Sequence, residues 1–398
     1  MNKLKKIITI LSSCMLPLFS ADALQNNNFH PSIEELVNSN TTFAISLYNK
    51  IKIPEDNLIF SPYSISTILA ISYLGASENT EKELKKALHL TMTKKDTNAM
   101  FKELNMALLT TLKNQLFIAN GIVLSKYIEY LNNDFKSLLK KNYNADILHG
   151  NLADVNRWVK DKTNNKINHI YHTLPRNTIL TLLNAIYFKG IWENTFNQKE
   201  TINDTFFISK NKQVNIPIMH QKNHFKFYEY EDFKVIELPY VNKKISMFVF
   251  LPNNSTLNEL EKKLDSKKLN KCVYDVQQST AREVMLYLPK FKLSAEYDLN
   301  HIIKQLGIND AFQPSIANFT DMGMPKGEVW ISSLKHKIKM TTNEEGSYSS
   351  SASSLTMSTR SIYKSFIFKV DHPFLFIIQD NKTKSILLMG RIKNPASS

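Results

Sequence analysis

Ile179 to Lys189 reads Ile-Leu-Thr-Leu-Leu-Asn-Ala-Ile-Tyr-Phe-Lys, nearly all apolar around one polar residue, Asn184. A strand with no polar alternation has no face to offer water. It must lie in the middle of a sheet covered on both sides. The chain therefore has to supply layers above and below that strand. The first half supplies helices. Ile33 to Ile51 carries Leu36, Val37, Phe43, Ile45 and Leu47 at helical spacing. Ser61-Pro62 predicts a capped helix start, and the helix that follows, Tyr63 to Leu74, is apolar almost all round, which places it in the interior. Thr80 to Leu90, Thr97 to Leu112, Tyr130 to Tyr143 and Leu152 to Asn165 are further predicted helices, with a strand at Leu116 to Leu124.

Beyond Ile179 strands dominate. Thr205 to Phe207, Asn215 to Met219, His224 to Tyr230 and Phe233 to Leu238 read as a meander, and Ile245 to Leu251 as a buried strand. Glu283 to Phe291 alternates, and Leu299 to Leu306 reads as a short helix. Phe374 to Gln379 and Ser385 to Arg391 flank a polar turn and read as a hairpin. The pattern is α+β, one domain with more than one sheet and no internal repeat. In the strand Val329 to Met340, period two places Trp330, Ser332, Leu334, His336, Ile338 and Met340 on one face. His336 there reads as a core residue satisfied by Asn184 and by Ser61 or Ser64.

Charge and cysteine content narrow the setting. The net charge of +14 could suggest nucleic acid, but the lysines are spread along helix-like patterns and no nucleic-acid motif accompanies them. Lys3, Lys5 and Lys6, an apolar core Ile7 to Phe19 and Ala21-Asp22-Ala23 read as a signal peptide cleaved after Ala23, giving a secreted protein of residues 24–398. Leu11-Ser12-Ser13-Cys14 offers a second reading, a lipoprotein anchored through Cys14. No later segment is apolar for long enough to span a membrane. Cleavage leaves Cys272 as the one thiol, so no intrachain disulfide is available.

Catalytic and metal signatures are scarce. The nine glycines form no nucleophile elbow, phosphate loop or dinucleotide fingerprint. His169 with His172, and His220 with His224, lack a carboxylate at ligand spacing, so no metal is expected. The unusual stretch is Asn343-Glu344-Glu345-Gly346 and its sequel to Ser361. After Gly346 it holds no Gly, no Pro and no charge until Arg360. A plain Ser-rich linker is one reading. The other is a spare β-strand that ends in a bait for a trypsin-like protease, since Ser, Thr, Ala and Tyr all enter sheets.

These residues resemble the serpin family from about Phe43 to Pro395. Asn57 to Leu74, Asn156 to Ile167 (with Asn165 where Gly is usual), and Leu183 to Trp192 match its motifs in order. So do Glu237 to Tyr240, Leu288 to Phe291, and Asp371 to Phe374 through Gly390-Arg391. The resemblance implies three sheets, about nine helices and an exposed reactive-centre loop at about 343–365. It implies a hinge at Glu344, Glu345 and Gly346 with Ser347, Ser349 and Ser351 facing inward on insertion. The scissile bond falls at Arg360-Ser361, with Lys364 as a fallback. Ser61, Ser64, Asn184 and His336 correspond to a shutter beneath the main sheet. Trp192, Lys290 and Glu344 correspond to a breach, where Lys290 and Glu344 should pair. The implied activity is trapping of a trypsin-like serine protease as a covalent acyl-enzyme, by a monomer without cofactor, nucleic acid or membrane span. A non-inhibitory carrier on the same fold and an inhibitor of a cysteine protease remain open. Serine at 347, 349 and 351 stands where the family has threonine and alanine, which implies slower insertion.

Overall fold

The computed structural model describes residues 32–397 other than 113–114, 126–127, 129–130, 150, 174–178 and 347–365. Nine α-helices lie among them: α1 (Ile33–Ile51), α2 (Pro62–Gly75), α3 (Glu78–Ala87), α4 (Lys94–Thr111), α5 (Asn133–Tyr143), α6 (Leu152–Lys162), α7 (Leu257–Lys263), α8 (Ser266–Gln278) and α9 (Asn300–Gln305). The early strands are β1 (Leu58–Phe60), β2 (Leu116–Leu124), β3 (Ala145–Leu148), β4 (Leu180–Phe188), β5 (Ile202–Ser209), β6 (Lys212–Phe225), β7 (Phe227–Glu229) and β8 (Phe233–Pro239). They are followed by β9 (Ile245–Pro252), β10 (Arg282–Pro289), β11 (Phe291–Asp298), β12 (Ile331–Thr342), β13 (Phe366–Lys369), β14 (Phe374–Asp380) and β15 (Ile386–Ile392).

The strands form three sheets, in the orders β11-β12-β4-β2-β3, β1-β15-β14-β9-β8-β7 and β13-β10-β6-β5. Every residue of β4 is buried, as its composition predicts. Helix α2 is buried along its whole length and packs on both β4 and β15, so it joins the five- and six-stranded sheets. Ser61 caps it by accepting from the Ser64 N–H. The hairpin β14–β15 forms as expected. Its last strand is pinned by Arg391, which is buried against Glu261 at 2.9 Å, and Glu261 in turn accepts from Tyr48 of α1 at 2.7 Å. Cys272 of α8 is buried and free. No helix among the described residues is long and apolar enough to cross a membrane.

Two expectations need correction. The four segments from Thr205 to Leu238 are not one meander. Asn215 to Met219 belongs to a single strand of fourteen residues, β6, paired with β5 and β10, while β7 and β8 join the six-stranded sheet. The outward residues Lys222 and His224 made the second half of β6 look like a polar break. The face assigned to β12 holds only from Leu334 onward. A bulge between Ile331 and Ser333 shifts the register, and a one-residue shift exchanges the faces. Ile331 and Ser333 are therefore buried, whereas Ser332 and Trp330 are half-buried.

Candidate functional site

The centre of the five-stranded sheet is a parallel pair. Ile331 to Lys339 of β12 lies directly against Leu180 to Tyr187 of β4, while β11 is antiparallel to β12 and β2 is antiparallel to β4. Beneath this pair sits a buried polar chain. The Ser61 N–H donates to His336 Nε2 at 3.2 Å, His336 Nδ1 lies 2.6 Å from Asn184 Oδ1, and Asn184 Nδ2 donates to Asn120 Oδ1 at 2.7 Å. Ser61 Oγ donates to the Leu387 carbonyl at 2.7 Å. The chain so connects α2, β12, β4, β2 and β15. Burial pushes the His336 pKa down to about 3, so the imidazole is neutral and can accept from Ser61. Ser61, Asn184 and His336 thus meet. Ser64 donates its N–H to Ser61 Oγ, but its own hydroxyl has no hydrogen-bond partner among the described residues.

Asn120 is a member that the sequence reading missed. The signal was present: it is the lone amide side chain of an apolar strand, as Asn184 is of its own. The two are directly opposite in the β2–β4 register.

The second group lies where β12 ends. Asn343 and Gly346 exchange backbone hydrogen bonds of 2.8 and 3.1 Å, closing a reversing turn over Asn343 to Gly346. Gly346 has φ +128°, and a β-carbon there would stand 2.1 Å from the Gly190 carbonyl oxygen, so only glycine fits. Trp192 holds the turn twice. Its N–H donates to the Glu345 carbonyl at 2.9 Å, and its indole Nε1–H to the Asn343 carbonyl at 3.0 Å. Tyr240 stacks on the indole at 4.5 Å between ring centres.

Glu344 points inward, 3% exposed, and meets Lys290 Nζ at 2.9 Å, as the resemblance implied. Thr201 Oγ1 adds a second donor at 2.7 Å. Burial pushes the Glu344 carboxyl up, but the hydrogen bonds from Lys290 and Thr201 outweigh it and hold its pKa below the ordinary value. Thr201 and Tyr240 are further contributors that nothing in their local sequence announces. Glu345 offers its carbonyl to Trp192, and its Oε2 has no hydrogen-bond partner among the described residues. Ser347, Ser349, Ser351, Arg360 and Ser361 lie outside the described residues, as do Lys364, Cys14 and the whole of residues 1–23.

Residues 38–395 match the family model described as Serpin (serine protease inhibitor). The chain is 33% identical over 384 residues to the leukocyte elastase inhibitor of Xenopus laevis, covering 91% of this chain and 100% of that protein. It is 31% identical over 392 residues to Serpin B11 of Homo sapiens, covering 90% and 99%. Tengpin, a thermophilic serpin solved in its native state, superposes with a TM-score of 0.81 at 26% identity, covering 90% of this chain and 94% of that one. With the family model spanning the whole three-sheet body, and relatives matched nearly end to end, the chain belongs to the serpin family.

Proposed function

We propose that this protein is a secreted, single-use inhibitor of trypsin-like serine proteases. The observation that carries the reading is the parallel β4–β12 pair with a reversing turn held at the end of β12. A segment that leaves β12 through such a turn runs antiparallel to β12. Placed between β4 and β12 it is antiparallel to both, so one parallel ladder is exchanged for two antiparallel ones. Antiparallel pairing is the more stable kind per residue. Sheet extension by an added strand is a recognised way of releasing stored free energy.

The chemistry belongs to the protease. Its serine Oγ attacks the carbonyl carbon of Arg360, and the Arg360–Ser361 peptide bond breaks. The new amine on Ser361 takes the proton relayed by the protease histidine, which leaves an ester between the protease serine and Arg360. The guanidinium of Arg360 suits a pocket with a carboxylate floor. Entry of residues 347–359 into the sheet then drags the esterified protease away from its start and distorts it before water can cleave the ester. The leader read in residues 1–23 supports export, with cleavage near Ala23.

The test is a mixture of the full protein with trypsin, run on a denaturing gel. A complex that survives boiling in SDS is expected from the native sequence, and none from Arg360→Ala. Complete cleavage without a complex would favour a second reading, a small-molecule carrier on the same fold. One observation favours it: a cavity of about 630 Å³ between α1, α4, α8 and the β14–β15 turn, lined by Ile33, Val37, Ala107, Val273, Tyr274 and Lys384 among others.

A further inference from the structure

β2 meets two unrelated demands at adjacent positions. Asn120 faces inward, 5% exposed, and accepts from Asn184 in the buried polar chain. Gly121 faces the other way, toward α6. Its register partner on β3, Asp146, accepts from Trp158 Nε1 at 2.9 Å and so fixes the indole across the strand. A β-carbon at 121 would stand 2.5 Å from Trp158 Cη2, which leaves glycine as the residue that fits. The two demands together write Asn-Gly, and no other glycine of the chain follows an asparagine.

That dipeptide carries chemistry of its own. With no β-carbon beside it, the Gly121 nitrogen is free to attack Cγ of the Asn120 side chain. The nitrogen gives up its proton, the new N–C bond closes a five-membered imide, and the side-chain nitrogen leaves as ammonia. Water then opens the ring at one carbonyl or the other. The product is aspartate with the main chain unchanged, or isoaspartate with the main chain rerouted through the side-chain carbon.

The native fold restrains this step. From Asn120 to Val123, β2 is paired on both sides, with β3 and with β4. The Gly121 N–H is therefore committed to a ladder. An extended backbone also turns that nitrogen away from the Asn120 side chain. The restraint is thin on one side: β3 has four residues, lies at the sheet edge and is half-buried beyond Ala145.

We propose that Asn120 is a spontaneous deamidation site, guarded by the pairing of β2 and consumed irreversibly when that pairing opens. The site is independent of the reading of Arg360 as the bait. Its consequence falls on the buried polar chain. A carboxylate at 120 can still accept from Asn184, but Asn184 and the His336 ring beyond it are neutral. A buried charge without an ionic partner is costly. A modified chain therefore closes its central sheet less firmly.

The experiment holds the full protein at pH 9 in buffer and in urea above its unfolding midpoint. Peptide mapping follows aspartate and isoaspartate at Asn120 and at Asn254, which is exposed, precedes a serine and serves as internal reference. In the unfolded chain Asn120 should be modified ahead of Asn254. In buffer the order should reverse, with Asn120 slower than in urea by at least about tenfold, the factor set by an opening cost of ~1.4 kcal/mol. Equal rates at Asn120 in the two conditions overturn the guard, and an unmodified Asn120 in the unfolded chain overturns the site. Asn120→Asp tests the consequence. Its urea midpoint at pH 7 should lie below the native one, with the gap narrowing toward pH 5 as the carboxyl gains its proton; native-like midpoints at both pH values overturn the cost. Native protein aged in buffer gives the same answer without a variant. Chains modified at Asn120 should be enriched in the unfolded pool of a size-exclusion column, and an even split between pools overturns the cost as well.

Discussion

His336 has a tautomer dictated by its neighbours. Nε2 must be bare to accept from the Ser61 N–H, so Nδ1 carries the hydrogen and donates to Asn184 Oδ1. A folded pKa near 3 lies well below the ~6.5 of an unfolded histidine. The neutral ring therefore contributes stability that is complete above pH ~6.5 and is lost as pH falls toward 3. Between pH 7 and pH 4 the loss should be about 3 kcal/mol. Urea midpoints at the two pH values should fall further for the native sequence than for His336→Gln, and equal falls would refute a neutral buried ring. Gly346 makes a second residue-scale case. Gly346→Ala combines a positive φ with a clash against the Gly190 carbonyl, so it should cost about 1–3 kcal/mol, read as a lower urea midpoint at pH 7. His336 and Gly346 were both legible in the sequence, one as a lone imidazole among apolar residues and the other as a glycine closing an acidic pair. Asn120 was marked in the same way, as a lone amide in an apolar strand, but Thr201 and Tyr240 were not, because their roles arise from a hydrogen bond and a ring stack between distant segments.

At the scale of elements, the decisive one is the segment after β12. On the proposed function, Ser347 is first among the side chains that would turn inward on insertion. Ser347→Arg would drive a charge into the sheet interior. It should convert the protein from inhibitor to substrate: trypsin should cleave it fully with no SDS-stable complex. The cleaved variant should also lack the large rise in melting temperature expected of the cleaved native sequence. Continued trapping by Ser347→Arg would show that the inward parity starts elsewhere. Parity reasoning has failed once in this same strand. The bulge at Ile331 to Ser333 moved Ser332 and Trp330 off the predicted face, and nothing in the sequence marks it. The misassigned meander has a related cause. Alternation identifies a strand and its inner face, but it carries no information on which sheet the strand joins. β6 and β8 both read as strands yet belong to different sheets.

For the whole molecule, the class and layering followed from two features, the nearly all-apolar β4 and the largely apolar α2, both buried throughout. An element with no polar face allows one kind of place. The bounds read for α1 and β2 match those observed, Ile33–Ile51 and Leu116–Leu124. Sheet membership and the path of the chain between sheets did not, because they depend on contacts far apart in sequence. Cys272 is buried in α8 and its thiol pKa is raised by that burial, so it presents little thiolate to an oxidant or to another disulfide. Among the described residues no sulfur–sulfur bond restrains the separation of β4 from β12. Residues 32–397 hold no second cysteine, so no disulfide within them couples folding to redox potential, and folding should proceed alike in glutathione-rich and disulfide-forming surroundings.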